Sequence, residues 1–340
     1  MDRRTHLRWL ARLLAASALP LTGRADGGEP VLVRLNIPGP RSLPFLPIEL
    51  ITPLGIDRDL GTTLKLRYFT SGVLAFEDMA AGNAYFAGHG FAILPGMLKK
   101  GKSAVAIASI AGSAGALALL VRTDLAGKIK RVADLKSRSI GASSGSVNSK
   151  TYLQMVGEQV LADHGVAASD VRWVQTAQNW ESVRSALASR SVDAVLCEEP
   201  FATRAVAAGL ARFLYSANEM AQSKSLIGGA HLRAVISTPT ETPGPDDQAR
   251  LLVQMVQRSL QWMASAKPQD IVSKLPLDDA TERKELLTIL LRYPAIFSRD
   301  GRFPAATIAA TTGLLQALGN IEGAGEVERL IDPRWVGPAT

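Results

Sequence analysis

Three stretches combine small, hydroxyl-bearing and basic residues where a strand should give way to a helix. They are Pro38-Gly39-Pro40-Arg41-Ser42, Ala87-Gly88-His89-Gly90 and Ser143-Ser144-Gly145-Ser146-Val147-Asn148-Ser149. A helix N-terminus leaves N–H donors unpaired and carries partial positive charge, so it suits an anion. Glycine lets a ligand approach the backbone, while serine and asparagine add donors. Arg41 could grip a sulfonate or carboxylate through two parallel bonds. Plainer readings stand beside these. Ser and Asn before a helix are preferred caps, Arg41 also suits a solvated surface, and His89 suits a loop.

Glu198-Glu199-Pro200 places two carboxylates at the end of a strand, where an acid/base pair could work. Neighbours on an extended chain point to opposite faces, so at most one carboxylate faces a cleft and a joint role is disfavoured. Cys197 follows a β-branched apolar run and reads as a buried thiol. Trp180 could pack or stack on a ligand. There is no G-x-S-x-G elbow, the serine loop lacks the Gly-Lys-Ser/Thr ending of a phosphate loop, and Gly88-x-Gly90 lacks the third dinucleotide glycine. One cysteine excludes an internal disulfide and a cysteine-rich zinc site. The four histidines lie far apart, which disfavours a multi-histidine metal site. No catalytic set, metal or cofactor is expected.

These loops need a scaffold, and the hydropathy rhythm supplies one. Strands are expected at Val31 to Asn36, Thr63 to Phe69, Ala84 to Ala87 and Val105 to Ser109. Helices are expected between them, at about Ser42 to Pro53, Val73 to Ala81 and Phe91 to Lys99. Strands separated by helices argue a parallel, doubly wound sheet. Ala116 to Arg122 is a further apolar run, after which the rhythm restarts through Ser139 to Ala142, Val171 to Val174, Val192 to Leu196 and Arg212 to Tyr215. His231 to Ser237 is one more strand, and long helices cover Asp246 to Ala266, Ala280 to Tyr293 and Ala305 to Leu318. Two α/β units and a helical tail imply two lobes, with Ala116 to Arg122 and His231 to Ser237 as the crossing strands. Ligands bind such sheets at the carboxyl ends of strands.

The chain has 340 residues, 47% of them hydrophobic and 20% charged, which fits two globular domains and excludes a disordered or fibrous chain. Residues 1–25 run from Arg3-Arg4 through an apolar stretch, Leu7 to Leu21, to small residues around Ala16-Ser17-Ala18 and Ala25. That is the plan of an export signal, by the general or the twin-arginine route, cleaved near residue 18–25. The segment holds five arginines and one aspartate, so its removal lowers the formal charge from +7 to +3 and weakens any nucleic-acid reading.

Val132-Ala133-Asp134-Leu135-Lys136 with Ile140-Gly141 and the serine loop resembles a segment of ABC-transporter substrate-binding proteins of the nitrate/sulfonate/taurine and thiamine-precursor type. Phe76 to Ser109 and Ser182 to Pro200 are similar to two further segments, and Val192-Asp193-Ala194 with Glu199-Pro200 is the most specific part. Arg190 stands where the family has glycine, and Tyr85 where it has aspartate. The resemblance implies an α/β, two-lobed periplasmic binding protein fold of type II, each lobe a doubly wound mixed sheet, with a helical C-terminal segment. Residues 31–117 and 235–340 would form lobe 1 and 118–234 lobe 2. It implies a monomeric, non-enzymatic periplasmic protein that captures a small, sulfonate-like anion and hands it to a permease driven by a cytoplasmic ATPase. The positions matching pocket loops are Arg41, Ser42, Gly88, His89, Ser146, Asn148, Ser149 and Glu199. The alternatives are an enzyme on the same fold, such as a lyase of the menaquinone-pathway type, and a periplasmic sensor subunit.

Overall fold

Alternation builds the start of the first strand: Val33 and Leu35 are fully buried while Leu32 and Arg34 are exposed, and from Leu35 to Pro38 the strand is buried on both faces. The computed structural model describes residues 29–113, 116–143, 145, 149–216 and 230–337. The expected export segment, Ser146 and Asn148 lie outside the described residues.

Among the described residues, ten strands form two five-stranded sheets. They are β1 (Val31–Pro38), β2 (Thr62–Phe69), β3 (Phe86–Gly90), β4 (Ala104–Ser113), β5 (Leu117–Arg122), β6 (Ser139–Ala142), β7 (Arg172–Gln175), β8 (Ala194–Glu198), β9 (Ala211–Tyr215) and β10 (Ala230–Pro239). The first sheet has the order β2-β1-β3-β10-β4 and the second β7-β6-β8-β5-β9. In each, parallel strands are joined by one antiparallel strand, β10 in the first and β5 in the second. The sheets are therefore mixed, where the strand–helix rhythm alone argued a parallel one. Both antiparallel strands follow a crossing: the chain leaves the first sheet after β4, builds the whole second sheet, and returns at β10.

The helices follow the same logic. We label α1 (Leu46–Glu49), α2 (Ile56–Asp59), α3 (Gly72–Ala80), α4 (Leu94–Leu98), α5 (Tyr152–Asp163), α6 (Trp180–Ala188) and α7 (Phe201–Ala207). The C-terminal segment adds α8 (Asp246–Ser265), α9 (Pro268–Lys274), α10 (Ala280–Arg292), α11 (Ala305–Ala317) and α12 (Glu326–Arg329). Ser71, Thr151 and Asn179 cap α3, α5 and α6 with their side-chain oxygens. The single helix expected from Ser42 to Pro53 is instead a 3-10 turn, Leu43–Phe45, followed by the short α1. Pro44 and Pro47 stand in the first turns of these two pieces, where a missing N–H is tolerated, and so divide the stretch. Among the described residues, no helix is long and apolar enough to cross a membrane.

The Val192-Asp193-Ala194 motif now has a physical role. Asp193 Oδ2 accepts from the Ser139 amide at 3.0 Å and from its hydroxyl at 3.1 Å, while Ser139 Oγ accepts from the Asp193 amide at 2.9 Å. These bonds lock the start of β8 beside β6. Just upstream, Arg190 sits in the left-handed region with φ 60°, the conformation that favours glycine. Its ion pair with Asp124, at 3.8 Å, is exposed and contributes little. Arg190→Gly should therefore raise stability by about 0.5–1 kcal/mol, after the flexibility of glycine in the unfolded chain is offset. Chemical denaturation at neutral pH checks this, and a loss of stability would contradict the strain argument.

Candidate functional site

Strand ends and helix starts converge on one cavity. Pro38, Gly90 and Glu198 are the last residues of β1, β3 and β8, and Gly72 and Tyr152 are the first of α3 and α5. Arg233 reaches in from β10. Both sheets thus contribute the carboxyl ends of parallel strands, the ends at which open α/β sheets hold ligands. The free space is about 30 Å³, room for roughly two waters.

A guanidinium and a carboxylate fill the centre. Arg233 is 1% exposed and Glu198 3%. Arg233 Nη2 donates to Glu198 Oε1 at 2.5 Å, and the Ser42 hydroxyl donates to Glu198 Oε2 at 2.8 Å. The Tyr152 ring lies 5.7 Å from the Arg233 guanidinium carbon, a cation–π approach. Its hydroxyl meets His231 Nε2 at 2.7 Å, and burial pushes the phenol above its ordinary pKa. Beside them, the Gln178 amide donates to Thr70 O at 3.3 Å, another tie between the two sheets' loops.

Of the residues singled out by sequence, Ser42 is placed in this network, fully buried. Arg41 is not. Its guanidinium binds Glu49 at 3.2 Å and Pro276 O at 2.9 Å, and its Nε lies 3.5 Å from Glu282. Gly88 packs beneath the cavity wall, where a Cβ would sit 2.7 Å from Phe45 and 2.9 Å from Ile37. His89 is fully buried behind Gly90, with Nδ1 3.0 Å from the Gly90 carbonyl and its ring edge-on to Phe76. Ser149 accepts from Lys100 Nζ at 2.5 Å and lines a separate crevice.

Glu199 caps α7 instead of facing the cavity. Its carboxylate accepts from the Thr203 amide and hydroxyl, both at 2.9 Å, and Arg292 lies 4.0 Å away. Burial raises its pKa. Only one of the two carboxylates faces the cavity, and it is Glu198. Glu198 still belongs to β8 and projects by the strand's alternation, whereas Glu199 turns with the cis Pro200 bond into the helix. Trp180 stacks under Arg204 at 4.6 Å, and Cys197 is buried with its thiol pushed well up by desolvation. Sequence reasoning flagged the Glu198-Glu199 pair but carried Glu199 forward as the site residue, and it missed Arg233, Tyr152 and Gln178. Arg233 did leave a signal: it is the one arginine in the apolar run from Leu232 to Ile236.

The sequence matches no protein-family model and no curated protein. Solved structures do match. A protein from Bordetella bronchiseptica RB50 aligns with TM-score 0.72 and 22% identity, covering 90% of this chain and 94% of that one. The alkanesulfonate-binding protein SsuA from Xanthomonas axonopodis pv. citri, bound to MOPS, gives 0.67 and 17% over 90% and 99%. The periplasmic nitrate-binding protein NrtA from Synechocystis PCC 6803 gives 0.63 and 11% over 89% and 85%. The chain has the periplasmic binding protein fold. That fold also carries chemistry, since the desulfurization enzyme DSZB matches at 0.56 and 14% over 89% and 97%.

Within this periplasmic binding protein fold, two stability measurements probe the site. Removing one member of a buried ion pair leaves the other charge uncompensated, so Arg233→Ala should cost about 3–5 kcal/mol, and Arg233→Met with Glu198→Leu should recover most of it. His89 provides the second. Desolvation lowers its pKa from 6.5 to about 4, so the folded chain keeps it neutral where the unfolded chain protonates it. The unfolded state binds the extra proton, and stability falls as pH drops through that window, by up to about 3 kcal/mol for this group. His89→Asn should flatten that part of the stability–pH curve. An unchanged slope would show that His89 titrates normally in the folded protein.

Proposed function

We propose that the chain is the solute-binding component of an ABC importer, holding a small anionic, sulfonate-like solute in the cavity between the two sheets. One observation carries the reading: a single guanidinium, Arg233, is buried where the carboxyl ends of strands from both sheets meet. A guanidinium presents paired donors that match carboxylate and sulfonate oxygens. The fold shared with sulfonate- and nitrate-binding proteins supports it. Residues 31–117 and 235–340 then form one lobe and 118–234 the other, joined by the two crossings, and their separation admits the solute. In this reading residues 1–25 direct export, the protein works in the periplasm as a monomer, and its partner is a membrane permease with a cytoplasmic ATPase. Arg41, Gly88, His89 and Glu199 stand outside the cavity lining, Ser42 acts through its bond to Glu198, Ser149 lines a separate crevice, and Ser146 and Asn148 lie outside the described residues.

A second reading, an enzyme, is kept in view by the DSZB likeness. Against it, the one thiol is buried and held protonated, so it is a poor nucleophile.

A thermal-shift screen of the purified protein against sulfonates, nitrate, carboxylates, amino acids and pyrimidines tests the assignment. A solute at 100 times its Kd should stabilise the fold by about 2.7 kcal/mol. The expected result is a sulfonate or carboxylate hit that Arg233→Met abolishes. Binding confined to neutral heterocycles would refute the anion reading, and turnover of a bound solute would establish the enzyme.

A further inference from the structure

Glu198 is gripped as a bound acid group would be. One oxygen takes a charge-assisted bond from Arg233 and the other a hydroxyl bond from Ser42. The carboxylate comes from the end of β8 in the second sheet, whereas Ser42 follows β1 and Arg233 lies on β10, both in the first. All three residues are almost fully buried. Taking both charges out of water costs several kcal/mol per ion, which only close pairing offsets. The contact therefore strongly favours the arrangement in which the second sheet's carboxylate reaches the first sheet's donors.

We propose that Glu198 is an internal competitor for the solute: its carboxylate occupies the Arg233 and Ser42 donors that would hold a solute's acid group, and so sets which acids can bind. This rests on the reading of the cavity as the solute site. A simple monoanion meets one guanidinium and two carboxylates' worth of negative charge, its own and that of Glu198. Binding then brings two negative charges close together in a low-dielectric site, and their repulsion makes it costly. The pair works as a filter that admits only acids whose contacts outweigh that repulsion. With the charge at position 198 removed, Arg233 Nη2 and the Ser42 hydroxyl lose that acceptor, and an incoming acid can take its place without the repulsion. The neighbouring acid, Glu199, does not share this role, because Thr203 and Arg292 already engage it.

The experiment is isothermal titration of ethanesulfonate and acetate into the purified wild-type protein, Glu198→Gln and Glu198→Gln/Arg233→Met. The proposal expects Glu198→Gln to bind at least one of the two at least tenfold more tightly than wild type, with the gain lost in the double variant. Glu198→Met, similar in length and uncharged, replaces the amide variant if that one fails to fold. Equal or weaker binding by the uncharged variants, with wild type binding measurably, overturns the competitor role and leaves the solute site standing. A gain that persists without Arg233 also overturns it, because the donors would then lie elsewhere. If no protein binds either anion and the wider screen also finds no solute, the solute-site reading fails and takes the proposal with it.

Discussion

A guanidinium buried beside a carboxylate sets the terms for everything around it. Arg233 cannot be left unpaired in the interior, because an uncompensated buried charge costs more than most single contacts return. Its partner Glu198 comes from the other sheet, and the second carboxylate oxygen needs a further donor, supplied by Ser42. Three elements from two sheets must therefore meet within hydrogen-bond distance. The shared topology makes this possible. Each sheet aims its parallel strands at the cavity by their carboxyl ends, and β10 runs antiparallel through the first sheet, carrying Arg233 to the same place.

Much of that scaffold was legible from hydropathy. Short apolar runs separated by helical stretches locate the ten strands to within a few residues, and the restart after Ala116 marks the second sheet. Sheet order and strand direction were not legible from the rhythm, since β5 and β10 become antiparallel only through pairing across crossings that are long in sequence. The site was less readable still. Loop composition drew attention to Arg41, His89 and Glu199, because each lies at a strand–helix junction. Whether such a side chain lines a cavity depends on its partners, and those are distant: Pro276 and Glu282 for Arg41, Phe76 for His89, Arg292 for Glu199. The useful sequence signal lay in a strand, a lone arginine among apolar residues. Local propensity has no reason to favour that, so a tertiary partner has to explain it.

Charges outside the cavity are arranged to a common end. Arg41, Arg204 and Arg292 each face carboxylates along α10 or at its contacts: Arg41 with Glu49 and Glu282, Arg204 with Asp279 and Glu285, and Arg292 with Glu199. Burial raises the pKa of Glu49, Glu199 and Glu285, so these acids gain protons more readily than exposed ones. The helix draws on both sheets, since Arg41 follows β1 while Glu199 and Arg204 follow β8. Several weak or half-buried pairs here tie the C-terminal helices to the loops that hold Ser42 and Glu198, a role suited to positioning more than to bulk stability.

The commitment of these groups elsewhere sharpens what the cavity can recognise. Arg41 is spent on Glu49, His89 is neutral and sealed behind Gly90, and Lys100 is turned to Ser149. Among the described residues, the charged side chains that line the cavity are one cation and one anion, Arg233 and Glu198. A diffuse basic pocket would attract any anion and sort poorly among them. On the proposed reading, a guanidinium already held by Glu198 discriminates by geometry, because a solute has to offer oxygens that replace or share that carboxylate. The carboxylate beside it makes the discrimination stricter. It offsets much of the long-range attraction that a bare cation would exert, so that on the proposed reading recognition rests on short-range bonds at Arg233.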